Sequence, residues 1–328
     1  MAANESVTII IPTLNSAENI SNLIRSIYNQ TYRPIETIIV DGGSSDGTLE
    51  ICNEFTRKFN SDLFRIRVLS EKDFGATRSV PNARNLGILH AMSKYILFFD
   101  DDFELTDASL VMHAKSALEE HEHVGVKVNP RMDTWLELHC AIDDFRKDLG
   151  CNVHTHCGYR REVFEMEQFD PRLAFGEDRD LQYRLGLKPL NVDSFCSRHF
   201  IHTFEEWKRE SYWYGGTFPY LLQKYWRKLD LSINPFVELA SRTVNLFLFG
   251  FSVIGAVLSV PLLMVAFALF WARILHLYFV SPSRKSWRLV YIILKVTYSA
   301  FWFVVGILAR MRTKRTGEID RHIDLNCS

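Results

Sequence analysis

Tyr95-Ile96-Leu97-Phe98-Phe99-Asp100-Asp101-Asp102-Phe103 is the stretch whose reading sets the fold. An unbroken apolar run followed by three carboxylates reads as a buried strand whose end emerges into solvent. The run suits a central strand of a parallel sheet covered on both faces. Ligands of open α/β sheets bind at the carboxyl ends of strands, where Asp100, Asp101 and Asp102 fall. Three adjacent carboxylates repel one another, so a packed fold keeps them with a compensating cation. Hard oxygen donors suit Mg²⁺ or Mn²⁺, particularly an ion that also holds substrate phosphates. A solvated acidic turn capping the next helix would explain the same residues, so the rest of the chain has to decide.

Outward from that strand, the pattern repeats. Residues 7–11 predict a first buried strand stopped at Pro12, with Asn15 and Glu18 as a capping pair for the next helix. Ile20, Leu23, Ile24 and Ile27 share one face of that helix. Residues 37–40 predict a second strand, ending at Asp41-Gly42-Gly43-Ser44-Ser45-Asp46-Gly47-Thr48. That loop feeds a helix whose buried face is Leu49, Cys52, Phe55 and Phe59. Residues 66–69 predict a third strand and 81–92 a helix leading into the acidic strand. The strand centres recur at about 29 residues, as in repeated βα units. A Gly-x-Gly-x-x-Gly fingerprint is absent after the first strand, which argues against a dehydrogenase. A helix over 107–121 and a strand over 124–128 follow, and the section to Phe200 reads as irregular.

The chain of 328 residues can hold one large or two moderate domains, and its net charge of −1 is unevenly spread. From Trp226 to the end there are 13 Lys and Arg against 5 Asp and Glu; the remainder holds 25 against 34. An acidic body with a basic, apolar tail suggests a soluble domain tethered to an anionic membrane surface. The basic residues flank apolar spans and form no stripe on the body, so nucleic acid is a poor partner. The six cysteines follow no disulfide-framework spacing, which points to reduced thiols in the cytoplasm, and residues 7–11 are too short for a signal-peptide core.

Residues 204–241, rich in Trp and Tyr mixed with Lys and Arg, suit interfacial helices at a headgroup layer. Between Arg242 and Arg273 lie 30 residues without a charge, more than the roughly 20 that span a bilayer. Two spans are expected, at about 244–272 and 289–308, as a hairpin with both ends cytoplasmic and a tail over 313–328. Lys295, near the end of the second span, would snorkel to the interface.

Taken together, five pieces in order resemble the family 2 glycosyltransferases of GT-A fold, over roughly residues 6–205. They are Val7-Thr8-Ile9-Ile10-Ile11-Pro12-Thr13-Leu14-Asn15, the 39–48 segment through Asp41, Ala83-Arg84-Asn85-Leu86-Gly87-Ile88, Asp100-Asp101-Asp102, and Gly176-Glu177-Asp178. The resemblance implies an α/β fold, a GT-A catalytic domain over 1–203 with a mostly parallel sheet, followed by the transmembrane hairpin. It implies an inverting, Mg²⁺- or Mn²⁺-dependent hexosyl- or N-acetylhexosaminyltransferase using a UDP- or GDP-sugar. The acceptor would be a lipid-linked saccharide hydroxyl or a polyprenyl or dolichyl phosphate.

By the same resemblance, Pro12, Thr13, Asn15 and Asp41 line the nucleotide pocket, where a base N–H needs an acceptor. Many members carry two adjacent acids after the second strand, whereas here Asp41 is followed by Gly42. Arg84 would approach the donor phosphates, because a guanidinium can bond two oxygens at once. Asp102 would ligate the metal, and Asp100 the ribose or a metal water, with Asp101 the variable middle position. Asp178 matches the general base that takes a proton from a sugar hydroxyl. Glu177 would orient the acceptor, with Cys157 and Gly158 on an acceptor-side loop and His202 a further metal contact. The Gln-x-x-Arg-Trp pattern of processive synthases is not met at Gln182-Tyr183-Arg184, which predicts single addition. Cys140, Cys151, His154, His156 and Cys157 match no common zinc spacing. A catalytically silent, nucleotide-sugar-binding membrane subunit anchoring a partner complex is the alternative. A homo-oligomer stays open.

Overall fold

The computed structural model describes residues 5–75, 78–130, 157–173, 176–198, 203–225 and 295–315, with a few helical residues between 249 and 293. The chain divides into two compact units. One comprises 1–131, 152–171 and 176–200; the other comprises 132–151, 172–175 and 201–328.

The first unit is built on a sheet of order β3-β2-β1-β4-β7-β6-β8-β5. Its first half runs β1 (Val7–Thr13), α1 (Ile20–Tyr28), β2 (Ile35–Asp41), α2 (Thr48–Phe59), β3 (Phe64–Ser70), a 3₁₀ turn (Glu71–Phe74), α3 (Val80–His90) and β4 (Tyr95–Phe98). β1 through β4 are mutually parallel, and all seven residues of β1 are buried, as expected of a strand covered on both faces. The apolar face of α1 packs into the core through Ile20, Leu23, Ile24 and Ile27, each with no exposed surface.

The second half is β5 (Phe103–Glu104), α4 (Leu110–Glu120), β6 (His123–Pro130), β7 (Cys157–Arg160), α5 (Val163–Met166), α6 (Glu177–Leu185) and β8 (Leu190–Arg198). β7 runs antiparallel between β4 and β6, β8 is parallel to β6, and β5 closes the edge antiparallel to β8.

Several boundaries differ from the sequence reading. β1 continues through Pro12 to Thr13, because β4 pairs with it only as far as Ile10–Phe98. Beyond that point β1 has an open side, where a missing N–H breaks no ladder bond. Asn15 does not cap α1: the N-cap is Asn19, without a side-chain cap bond, and Asn15 instead takes a left-handed φ of 51°. The section expected to be irregular holds β7, α6 and β8. In β8, Val192, Ser194 and Cys196 point inward while Asn191 and Asp193 are exposed. Polar Ser194 on the inner face masks the period of two; its hydroxyl donates to Asp107 and meets Nδ1 of His113.

In the second unit, α7 (Phe204–Tyr225) packs on α8 (Ala300–Arg315), which follows a π turn at Lys295–Ser299. The helices meet at glycines: a Cβ on Gly215 would overlap the Phe303 carbonyl, and one on Gly306 would overlap the Tyr212 carbonyl. Small residues let two helix backbones approach this closely. Ser211 and Ser299 share a buried hydrogen bond of 2.8 Å, and Lys208 lies 4.6 Å from the Trp302 ring centroid. Phe301, Leu308 and Met311 leave an apolar stripe exposed along α8. Among the described residues no helix is long and apolar enough to cross a membrane. Most of the two expected spans, the tail, and Cys140, Cys151, His154, His156 and His202 lie outside the described residues.

Candidate active site

The carboxyl ends of β1, β2 and β4 converge. Beyond β2, Asp41 is fully buried and turns back on its own loop, accepting N–H bonds from Gly43 at 2.8 Å and from Ser44 at 3.1 Å. Asn15 joins this loop to the end of β1: its N–H donates to Ser44 Oγ at 2.9 Å, and its Oδ1 accepts from Ser45 N–H at 2.9 Å. Pro12 and Thr13 are buried within β1. Of the residues expected to line a nucleotide pocket, Asn15 is therefore the exposed one.

After β4 the three carboxylates diverge. Asp101, expected to be the variable middle position, points inward: it accepts from the Thr13 hydroxyl at 2.8 Å and the Leu14 N–H at 3.2 Å. Desolvation, followed by the neighbouring Asp102 charge, pushes its carboxyl up to about 7. Asp100 turns the other way, to Arg84.

Arg84 is the centre of the arrangement. Ser79 caps α3 by accepting from Asn82 N–H at 3.2 Å, and Pro81 opens the first turn, which sets Arg84 one turn into the helix and 2 % exposed. One guanidinium nitrogen donates to Glu177 at 2.6 Å and Asp178 at 2.9 Å; the other donates to Asp100 at 2.9 Å. The guanidinium also lies 5.4 Å from the Phe169 ring centroid. Both terminal nitrogens, expected to approach the donor phosphates, thus hold carboxylates. Burial by itself would favour the neutral form of Arg84, but Asp178, Asp100 and Glu177 hold its pKa well above the ordinary value. The Glu177 carboxyl is pushed up, first by desolvation and then by the Asp178 charge. Three acids around one cation leave negative charge in excess, and the most buried acid relieves it by keeping a proton.

Glu177 and Asp178 open α6, after Gly176 in a left-handed conformation with φ 76°. Asp178 is the more accessible of the pair, its side chain 20 % exposed against 10 % for Glu177. Gly158 was expected on an acceptor-side loop with Cys157. It lies instead inside β7, where an added Cβ would come within 2.5 Å of Leu97 and 2.8 Å of Val124. That close approach of sheet neighbours accounts for the glycine by packing.

Among the described residues no group of three or more His, Cys, Asp or Glu is arranged to hold a metal ion by protein alone. Mg²⁺-type ions at phosphate sites take one or two carboxylates, with the substrate's phosphates completing the sphere. Asp100 and Asp102, partly exposed acids flanking an inward-turned Asp101, fit that smaller requirement.

The sequence reading missed Glu71. It follows β3 as Asp41 ends β2, is 3 % exposed, and accepts from Ser79 N–H at 3.3 Å. Burial pushes its carboxyl up to about 7, with the Ser79 bond and Arg78 drawing it down and Asp41 raising it. Its position at a strand's carboxyl end was the available signal.

Comparison with known proteins agrees with this geometry. Residues 8–166 match the family model described as Glycosyl transferase family 2. A cholesterol galactosyltransferase of Borreliella burgdorferi is 34 % identical over 96 residues, 29 % of this chain and 25 % of that protein. The glycosyltransferase GlyG of Streptococcus pneumoniae is 34 % identical over 99 residues, 30 % of this chain and 31 % of that protein. A PGL/p-HBAD biosynthesis glycosyltransferase of Mycobacterium tuberculosis is 34 % identical over 115 residues, 35 % of this chain and 42 % of that protein. The chain thus spans less than half the length of each of these curated relatives. A mannosyltransferase from Pyrobaculum calidifontis, solved in complex with GDP-Man and Mn²⁺, superposes with a TM-score of 0.62 at 16 % identity. That likeness covers 95 % of this chain and 89 % of that one, and it shows the fold. Residues 8–166 accordingly form a family 2 glycosyltransferase domain of GT-A fold.

Proposed function

We propose that the protein transfers a sugar from a nucleotide-sugar donor, with inversion and with a divalent metal, to a lipid-linked acceptor at the cytoplasmic membrane face. The observation that carries this reading is the Arg84 guanidinium. It joins Asp100 of the first acidic motif to Glu177 and Asp178 of the second, residues 16, 93 and 94 positions away in sequence. A donor-side acid and an acceptor-side acid are thereby held on either side of one buried cation.

Asp100 and Asp102 would hold the metal together with the donor's phosphates. A bound Mg²⁺ or Mn²⁺ supplies positive charge to the diphosphate of the departing nucleotide. Asp178 is the base: it is the more exposed of the α6 pair, and its neighbour Glu177 favours the protonated form. Arg84 holds the Asp178 carboxylate by one oxygen, Oδ1, at the mouth of the cluster. Proton removal from an acceptor hydroxyl by such a positioned carboxylate contributes about 10²–10⁴ in rate.

A lipid acceptor and a membrane location draw support from the exposed Phe301, Leu308 and Met311 stripe, the basic residues that follow it, and the charge-free 243–272 segment. The name of the cholesterol galactosyltransferase is consistent with a lipid acceptor. The two expected spans and the cytoplasmic tail belong to this proposal. The test is an assay of the full chain in lipid vesicles with UDP- and GDP-sugars, with and without Mn²⁺. Sugar recovered in a lipid extract only when metal is present supports the reading; water-soluble product alone, or no donor consumption, contradicts it.

A further inference from the structure

We infer that Glu71 is the residue that reads the donor's nucleobase. This rests on the nucleotide-sugar reading above and assigns its specificity. Asp41 is ill placed to contact a base, since it has no exposed surface and both of its carboxylate oxygens accept N–H bonds from Gly43 and Ser44.

Glu71 arrives from the neighbouring strand. Its Oε2 lies 3.1 Å from the position a Cβ on Gly42 would take, with Arg78 Cγ at 3.5 Å and Leu14 Cδ1 at 3.6 Å from the same point. A side chain at 42 would therefore point where the Glu71 carboxylate already is. Oε1 accepts one long bond from Ser79 N–H, and Oε2 has no hydrogen-bond partner among the described residues. A carboxylate buried with so few donors is costly unless something supplies another. A nucleobase ring N–H does so. Uracil and guanine carry that group on the pairing edge; cytosine and adenine present an unprotonated ring nitrogen there, which a carboxylate repels. Gly42 lets the Glu71 carboxylate sit against the end of β2, and Leu14 gives the acid an apolar neighbour.

The experiment is a calorimetric titration of the full chain at about pH 8.5, where the Glu71 carboxyl is ionised, with UDP, GDP, CDP and ADP, each with Mn²⁺, and with inorganic pyrophosphate and Mn²⁺ as the base-free probe. Wild type is expected to bind UDP or GDP at least tenfold more tightly than CDP and ADP. Glu71→Met, close in shape but without an acceptor, loses that preference while pyrophosphate affinity stays within twofold. Equal affinity of wild type for all four nucleotides overturns the inference without needing a variant. An unchanged preference in Glu71→Met overturns it while leaving nucleotide binding intact. Binding of none of the four overturns both this inference and the nucleotide-sugar reading.

Discussion

Asp41 and Asp178 are both acids at the mouth of the same sheet, yet they are satisfied by opposite means. Asp41 is neutralised by the backbone of its own loop, through N–H groups two and three residues ahead. Asp178 shares a single buried guanidinium with Asp100 and Glu177, so the group as a whole carries more negative charge than Arg84 can balance. Backbone N–H groups fix a loop; a crowded cation leaves acids ready to take a proton or a metal. On the proposed function, the first arrangement is a scaffold and the second carries the chemistry.

The largest effect expected is on rate. Asp178→Asn should lower kcat for sugar transfer by about 10²–10⁴ while the donor KM changes little, because the amide keeps the shape but cannot accept the proton. Steady-state kinetics check the split. A lowered donor affinity with unchanged kcat would move Asp178 to the donor side and dissolve the contrast with Asp41.

Next comes stability. Arg84→Met leaves three acids without their cation and should cost about 3–5 kcal/mol at pH 7, read by urea denaturation. The cost should shrink at pH 4–5, where the acids take up protons. A pH-independent loss would mean that Arg84 acts by packing on Phe169.

Glu71→Gln sharpens the contrast with a change of opposite sign. The native carboxyl sits at about 7, above its ordinary 4.5, so the folded state binds the extra proton. Wild-type stability on this account is retained below about pH 4.5 and lost as pH rises through 7. Glutamine has no charge to desolvate, so the variant should exceed wild type by about 2–3 kcal/mol at pH 8 and match it near pH 4.

Asp41→Asn should have the smallest effect, about 1–2 kcal/mol, as one charged acceptor of loop N–H groups becomes neutral. Thermal unfolding measures it, with nucleotide-free protein to separate loop stability from binding.

How much of this was legible depends on how far apart the partners lie. β1 through β4 read clearly because each strand is a short apolar run and each helix face repeats locally. β8 did not, since Ser194 interrupts the inner face and is satisfied by Asp107 and His113 from a distant element. The acidic motifs were visible as residue types. Their common partner was not, because Arg84 and Asp178 are 94 positions apart and only the fold joins them. Nor could three identical neighbours reveal that Asp101 is the one turned inward to Thr13. Glu71 was missed for a related reason: its carboxylate meets Gly42 across a strand boundary, a contact that only the fold makes.

The most direct test of the central claim is calorimetric titration of UDP and GDP into the full chain, with and without Mn²⁺, for wild type and Asp102→Ala. The account predicts metal-dependent binding in wild type that disappears in the variant, whose unfolding temperature without ligand is unchanged. Binding that is indifferent to Mn²⁺, or equal in the two proteins, would contradict it.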